Sequence, residues 1–280
     1  MKSSVAAFVA SAIDFVSKNP PNGSIVITIT GDEEGEAKNG TAAILDWMQK
    51  NNEKISHCLV GEPTCPDYLG EMVKIGRRGS ITARLCVKGL QGHTAYPKLA
   101  INPLNALVQL MHSLSEESLD IGSEHFDAST LVITSIDTGN SATNVIPEMA
   151  KAVINIRFND NHTSESIKKW LERTSKDFAE KTGTEITVDT HTSGESFLTP
   201  PGQLSDIICN SIEQELGVKP SLSTTGGTSD ARFIKNICPV VEFGLVGKTM
   251  HAIDERVEIS QIRNLKKVYT RILENYFAEI

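Results

Sequence analysis

The chain has 280 residues, 39% hydrophobic and 22% charged, enough to bury one large core or two smaller ones. A formal net charge of -8 disfavours nucleic acid and anionic membrane surfaces, which select basic patches, while a few local Arg residues can still serve a small anionic substrate. No apolar run approaches the roughly 20 residues of a bilayer-spanning helix. The five Cys residues are odd in number, widely spaced and never in C-x-x-C form. They indicate neither a disulfide framework nor a thiolate zinc site, and they fit a reduced cytoplasm. The N-terminus carries no basic region followed by a small-residue cleavage site, so no signal peptide is read.

In chain order, Val5, Phe8, Val9, Ala12, Ile13 and Val16 recur at helical spacing, and Pro20-Pro21-Asn22-Gly23 ends that pattern. A strand is predicted over Ile25 to Ile29, then a helix bearing Ile44, Leu45 and Met48, then the short strand Cys58-Leu59-Val60. Strand, helix, strand implies an α/β layer with a largely parallel sheet, in which ligands gather at the carboxyl ends of strands. Glu33, Glu34 and Glu62 fall at those ends.

From about Gly79 the rhythm changes, with Ile81, Ala83, Leu85 and Val87 alternating with Thr82, Arg84, Cys86 and Lys88, as in a sheet covered on one face. A helix carrying Leu104, Leu107, Val108, Met111 and Leu114 follows. Strands near Leu131 to Ile136 and Ala152 to Phe158, a helix from about Ser164 to Glu180 and a strand Glu185 to Val188 complete β-α-β-β-α-β, the ferredoxin-like order. After Thr192 come a helix around Leu204 to Leu216, a strand Pro239 to Phe243 and a terminal helix from about Ser260 to Tyr276. The expected organisation is a split α/β domain, residues 1–78 and 192–280, around an insert, residues 79–191.

Each chemical motif is weak by itself. The acidic run TGDEEG at residues 30 to 35 follows a core strand, where paired carboxylates can hold a metal and move a proton, yet most acidic turns are solvated surface. It is accompanied by GEPT at 61 to 64, KIGRRGS at 74 to 80, QGHTAYP at 91 to 97, ATNVIP at 142 to 147, NIRF at 155 to 158, GGTSDARF at 226 to 233 and MHAIDE at 250 to 255. Together, along the whole chain, these motifs resemble the dinuclear zinc aminoacylase/carboxypeptidase (M20-like) family. KIGRRGS and GGTSDARF look most like its bacterial branch that acts on amides of small dicarboxylic acids.

The resemblance implies roles. Glu33 matches the family's general base and acid, and Glu34, Glu62 and His251 match its metal ligands, carboxylate oxygen and imidazole nitrogen being suited to zinc. Two zinc ions per subunit are implied, with cobalt as a substitute. His93 matches a residue that reaches a neighbouring subunit's active site and donates to the oxyanion forming on the scissile carbonyl; standing alone it would be an ordinary turn histidine. Asn144 and Arg157 match substrate contacts, and Arg157 can clamp a carboxylate in bidentate fashion. Gly226, Gly227, Thr228 and Ser229 would line the substrate pocket, with backbone N–H groups near a helix start. Arg77 and its neighbour Arg78 can meet substrate carboxylates or lie on a hinge surface. The implied partners are a small dicarboxylate amide substrate and a second copy through residues 79–191, with no nucleic acid and no membrane.

One expectation runs against the match. The family also uses a His-x-Asp motif and a bridging Asp just before a Met-Lys pair, and this sequence opens on Met1-Lys2. The 280 residues are therefore expected to hold metal only partially and to hydrolyse poorly by themselves. A deacetylase of the same family and a non-catalytic dimeric fragment stand as alternatives.

Overall fold

The computed structural model describes residues 1–18, 20–35 and 37–279. In chain order its elements are α1 (Lys2–Lys18), α2 (Thr41–Lys50), β1 (Cys58–Val60), β2 (Met72–Lys74), β3 (Gly76–Arg77), β4 (Gly79–Lys88), β5 (Gly92–His93) and α3 (Pro103–Glu116). There follow β6 (Thr130–Asp137), β7 (Val145–Ile146), β8 (Met149–Phe158), α4 (Ser164–Thr182), β9 (Glu185–Gly194) and β10 (Phe197–Leu198). The last are α5 (Gln203–Leu216), β11 (Ser221–Ser223), α6 (Ala231–Ile234), β12 (Val240–Glu242) and α7 (Ile259–Glu279). Among the described residues no helix is long and apolar enough to cross a membrane. All five Cys residues are free thiols.

The chain divides into two compact units, Met1–Arg77 with Leu198–Ile280, and Arg78–Phe197. In the first, four short strands form a mixed sheet in the order β1-β12-β2-β11. β1 with β12 and β11 with β2 run parallel, whereas β12 and β2 are antiparallel, with Glu242 opposite Lys74. Val73, Ile75, Val241 and Phe243 pack against Ile208 and Ile212 of α5 and Leu265, Val268 and Tyr269 of α7. α1 lies on α7, where Phe8 stacks on Tyr269 with ring centroids 4.0 Å apart, and the Tyr269 hydroxyl donates to the Phe243 carbonyl.

The strand expected over residues 25 to 29 is not formed. β-branched side chains suit a ladder only where a neighbour completes it, and among the described residues this run has no strand partner. Val26 and Ile29 are 67% and 64% exposed. On α1 the buried positions are Ser4, Ala7, Ser11 and Phe15, so Val9, Ile13 and Val16 of the apolar pattern face outward.

The second unit stacks its strands in the order β6-β8-β4-β9, every neighbouring pair antiparallel, with α3 and α4 between them in sequence. This is the expected β-α-β-β-α-β unit. Its core joins Ile81, Leu85 and Val87 of β4 to Ile154 and Ile156 of β8, and to Leu107, Leu110 and Leu114 of α3 and Leu171 of α4. Asn102 caps α3 by accepting from Leu104 N at 3.0 Å, with Pro103 at the first helical position. Thr163 and Ser166 form a capping box on α4, which ends at Gly183 in the left-handed region. β9 continues to Gly194, beyond the expected Val188, because its residues through Thr192 keep pairing with β4.

Residues 78–197 hold this core entirely within themselves, so that segment expressed alone is expected to unfold in one cooperative transition. Leu110, 0% exposed, is its most direct probe: Leu110→Ala should lower the unfolding free energy by about 2–5 kcal/mol in urea. A loss below about 1 kcal/mol, or a non-cooperative transition, would contradict a self-contained core.

Candidate active site

Four loops of the first unit build the site. The acidic turn is organised by Asp32, whose carbonyl accepts from Gly35 N and Ala37 N and whose carboxylate accepts from Asn39 N. Glu33 is half-buried there and Glu34 is exposed. Glu62 follows β1 in the GEPT loop, anchored by Thr64: its hydroxyl donates to the Met72 carbonyl at 3.0 Å and accepts from Gly244 N at 3.2 Å. Gly244 is required by close approach, since a Cβ there would stand 2.4 Å from the Glu62 carbonyl oxygen.

Burial raises the Glu33 carboxyl above its ordinary range, and the charges of Glu34 and Asp230 add to the effect, against the opposing Arg232 and Arg77. Glu62 is pushed up to about 7, first by burial and then by Glu33 and Glu242. A carboxyl raised toward neutrality can accept and return a proton near physiological pH, which is the requirement of a general base and acid. Asp230 accepts from the Thr41 hydroxyl at 2.6 Å through Oδ2, while its buried Oδ1 has no hydrogen-bond partner among the described residues.

His251 lies in a turn with φ of 59°, and its Nε2 is 3.3 Å from Glu34 Oε1. Imidazole nitrogen and carboxylate oxygen are the donor types zinc takes, so this pair fits a metal in kind. The set is incomplete in number. Among the described residues no three His, Cys, Asp or Glu side chains gather closely enough to hold a metal ion. The expected convergence of Glu34, Glu62 and His251 is thus only partly formed, and Glu62 is not gathered with the other two. Glu62 already meets the charges of Glu33 and Glu242, and a further carboxylate at close range would add desolvation and repulsion.

The Gly-rich loop sits beside a buried cation. Gly226, with φ of 104°, and Gly227 are exposed, Thr228 is half-buried, and Ser229 is buried with its hydroxyl donating to Glu242. Arg77 donates to the same carboxylate from Nε at 3.0 Å and from Nη2. The helix after this loop, α6, has only four residues and its first position has no side-chain cap, so the helix-start anion site suggested by the sequence lacks the aligned peptides it needs. Sequence reasoning missed Glu242 as a functional residue and gave Lys74 no role. A lone Glu inside the apolar run PVVEFG was the available signal.

The remaining expected residues lie in the second unit. β5 pairs with β7, His93 opposite Val145, and Thr94 N donates to the Asn144 carbonyl, so His93 and Asn144 are brought together. Ala95 N donates to His93 Nδ1 at 3.0 Å, which puts the proton of the neutral ring on the exposed Nε2, able to donate outward. Arg157 on β8 donates from Nε to Asn155 Oδ1 at 3.1 Å, and burial and Arg78 hold its guanidinium below the usual range.

This residue set meets a family pattern that spans the chain: the model of peptidase family M20/M25/M40 matches residues 1–275, and the chain belongs to that family. Within it, the chain is 60% identical over 278 residues to the succinyl-diaminopimelate desuccinylase of Cereibacter sphaeroides, covering 99% of this chain and 73% of that protein. Its identity to the enzyme of that name from Paracoccus denitrificans is 54% over 279 residues, with the same coverages. Among solved structures, aminopeptidase PepT from Bacillus cereus superposes with a TM-score of 0.80 at 16% identity, over 98% of this chain and 70% of that one. A dinuclear metal binding M20 peptidase from Bacillus subtilis gives 0.72 at 14%, over 99% and 72%. At such identities these two structures speak for the fold alone.

Lys74 gives the site a pH signature. It is 5% exposed, donates to the Ser223 and Thr225 hydroxyls, and is pushed down to about 8, by burial first and by Arg77 next. Between about pH 8 and the model-peptide 10.5 the unfolded chain binds more protons than the folded one, so this group makes stability rise with pH across that window. Lys74→Met is expected to remove a rise of about 1–2 kcal/mol, after allowance for solvent screening, in urea titrations spanning the window. An unchanged slope would contradict the assignment.

Proposed function

We propose that the chain carries the amide-hydrolysing residues of a succinyl-diaminopimelate desuccinylase, acting on N-succinyl-LL-2,6-diaminopimelate to give succinate and LL-2,6-diaminopimelate, a step of lysine and cell-wall precursor synthesis. The observation that carries the reading is the half-buried Glu33, its carboxyl raised by burial, beside the Glu34–His251 pair, in a chain 60% identical to a protein of that name. Glu34, Glu62 and His251 belong to the metal-holding set, and further donors are needed to close it. When bound, divalent zinc supplies Lewis acidity to water and to the scissile carbonyl.

The rest falls to the protein's own side chains. Glu33 takes a proton from the attacking water as its oxygen bonds to the succinyl carbonyl carbon. The same proton passes to the nitrogen as the C–N bond breaks, so succinate and the free amine leave. Arg77 and the Gly226–Ser229 loop receive a substrate carboxylate, with Arg157 and Asn144 as further substrate contacts. His93, with its outward Nε2–H, serves the developing oxyanion in the active site of a second copy.

A symmetric homodimer through residues 79–191 goes with that role. β6 is an edge strand of its sheet, with Val132 and Ile136 exposed on it, and open edges are natural sites for pairing between copies. Sedimentation at micromolar concentrations should find a dimer, and a monomer throughout would contradict this arrangement.

For the chemistry, the part of the Cereibacter desuccinylase outside the matched region is joined to this chain and the chimera is loaded with zinc. It should release succinate from N-succinyl-LL-2,6-diaminopimelate. Glu33→Gln should lower kcat by about 10²–10⁴-fold with zinc content unchanged, whereas His251→Ala should lower zinc content itself. Full turnover by the Glu33→Gln chimera would remove Glu33 from the role of base.

A further inference from the structure

Glu242 ends β12 at the heart of the first unit and is 1% exposed. One carboxylate oxygen accepts from both Nε and Nη2 of Arg77, and the other accepts from the Ser229 hydroxyl. Its backbone is locked on both sides, opposite Val60 of β1 and Lys74 of β2. The carboxylate therefore cannot turn toward a ligand without abandoning two buried donors.

The guanidinium is fixed in a particular sense. Nε and Nη2 form the edge spent on Glu242, and Nη1 lies against the Gly226 turn, where an added Cβ would stand 2.5 Å from it. Gly226 adopts a positive φ that disfavours side chains. Glycine at 226 and the carboxylate at 242 thus hold Arg77 from two sides. A planar guanidinium recognises a carboxylate only in defined orientations, so the group that sets its plane decides what it can bind.

We infer that Glu242 is a positioning residue for substrate carboxylate recognition: it touches no substrate, and it fixes the plane of Arg77 against Gly226 and holds the Ser229 hydroxyl. The inference rests on the reading that Arg77 receives a substrate carboxylate. A further consequence is that Arg77 and Glu242 act as one unit, so removing either forfeits the same binding.

The test is a double-mutant cycle read by binding of succinate to the 280-residue chain, using calorimetry or saturation-transfer NMR. The variants are Arg77→Met, Glu242→Gln and the pair, with thermal unfolding as the folding control. Arg77→Met should weaken succinate binding at least tenfold. Glu242→Gln should do the same, and the double variant should bind no worse than Arg77→Met alone. If Arg77→Met loses binding while Glu242→Gln binds as the parent does, the positioning role is overturned and the reading of Arg77 stands. If the parent chain does not bind succinate, or Arg77→Met binds as well as the parent, the carboxylate reading fails and takes this inference with it. Should Glu242→Gln not fold, Glu242→Asp retains the charge but withdraws it by one methylene. Weakened binding by that variant supports the role, and unchanged binding overturns it.

Discussion

Three glutamate carboxyls of the first unit, Glu33, Glu62 and Glu242, bear on one another, with Glu33 and Glu242 each raising Glu62 and the Arg77 guanidinium paired with Glu242. Arg77 is committed to Glu242, which is why that carboxylate can be nearly wholly buried. Among the described residues Glu33 and Glu62 have no such ion pair, and both are raised by burial first, Glu33 then by Glu34 and Asp230, and Glu62 by Glu33 and Glu242. The imbalance suits the proposed chemistry, since a surplus of oxygen donors attracts a cation and a raised carboxyl can carry a proton.

Much of this was legible in the sequence because the signals were redundant. Alternation in β4 and the helical spacing of Leu104, Leu107, Met111 and Leu114 in α3 each mark their element, and α3, α4, α5 and α7 lie within a few residues of the expected helices. The motifs were legible for a different reason: no single one is specific, but their order along 280 residues is. The family model and the desuccinylase relatives agree with that order.

What was not legible depended on partners. The run Ile25 to Ile29 has every local property of a strand, and local properties do not supply a neighbouring ladder. Which face of α1 is buried was settled by the fit of Ala7 and Phe15 to α7 rather than by the wider apolar stripe that includes Ile13. Glu242 escaped because its importance lies in what it holds, Arg77 and Ser229, and sequence distance hides such pairs. The second unit was read more fully, since its core is closed within one continuous segment and its ladder partners are near in sequence.

Unbalanced burial, and not a special motif, raises the carboxyls of the site. This is tested most directly by 13C NMR titration of the glutamate side-chain carboxyls in the metal-free chain. Glu33 is expected to titrate above the ordinary glutamate range and Glu62 at about 7. Both carboxyls titrating at the ordinary glutamate value would contradict it.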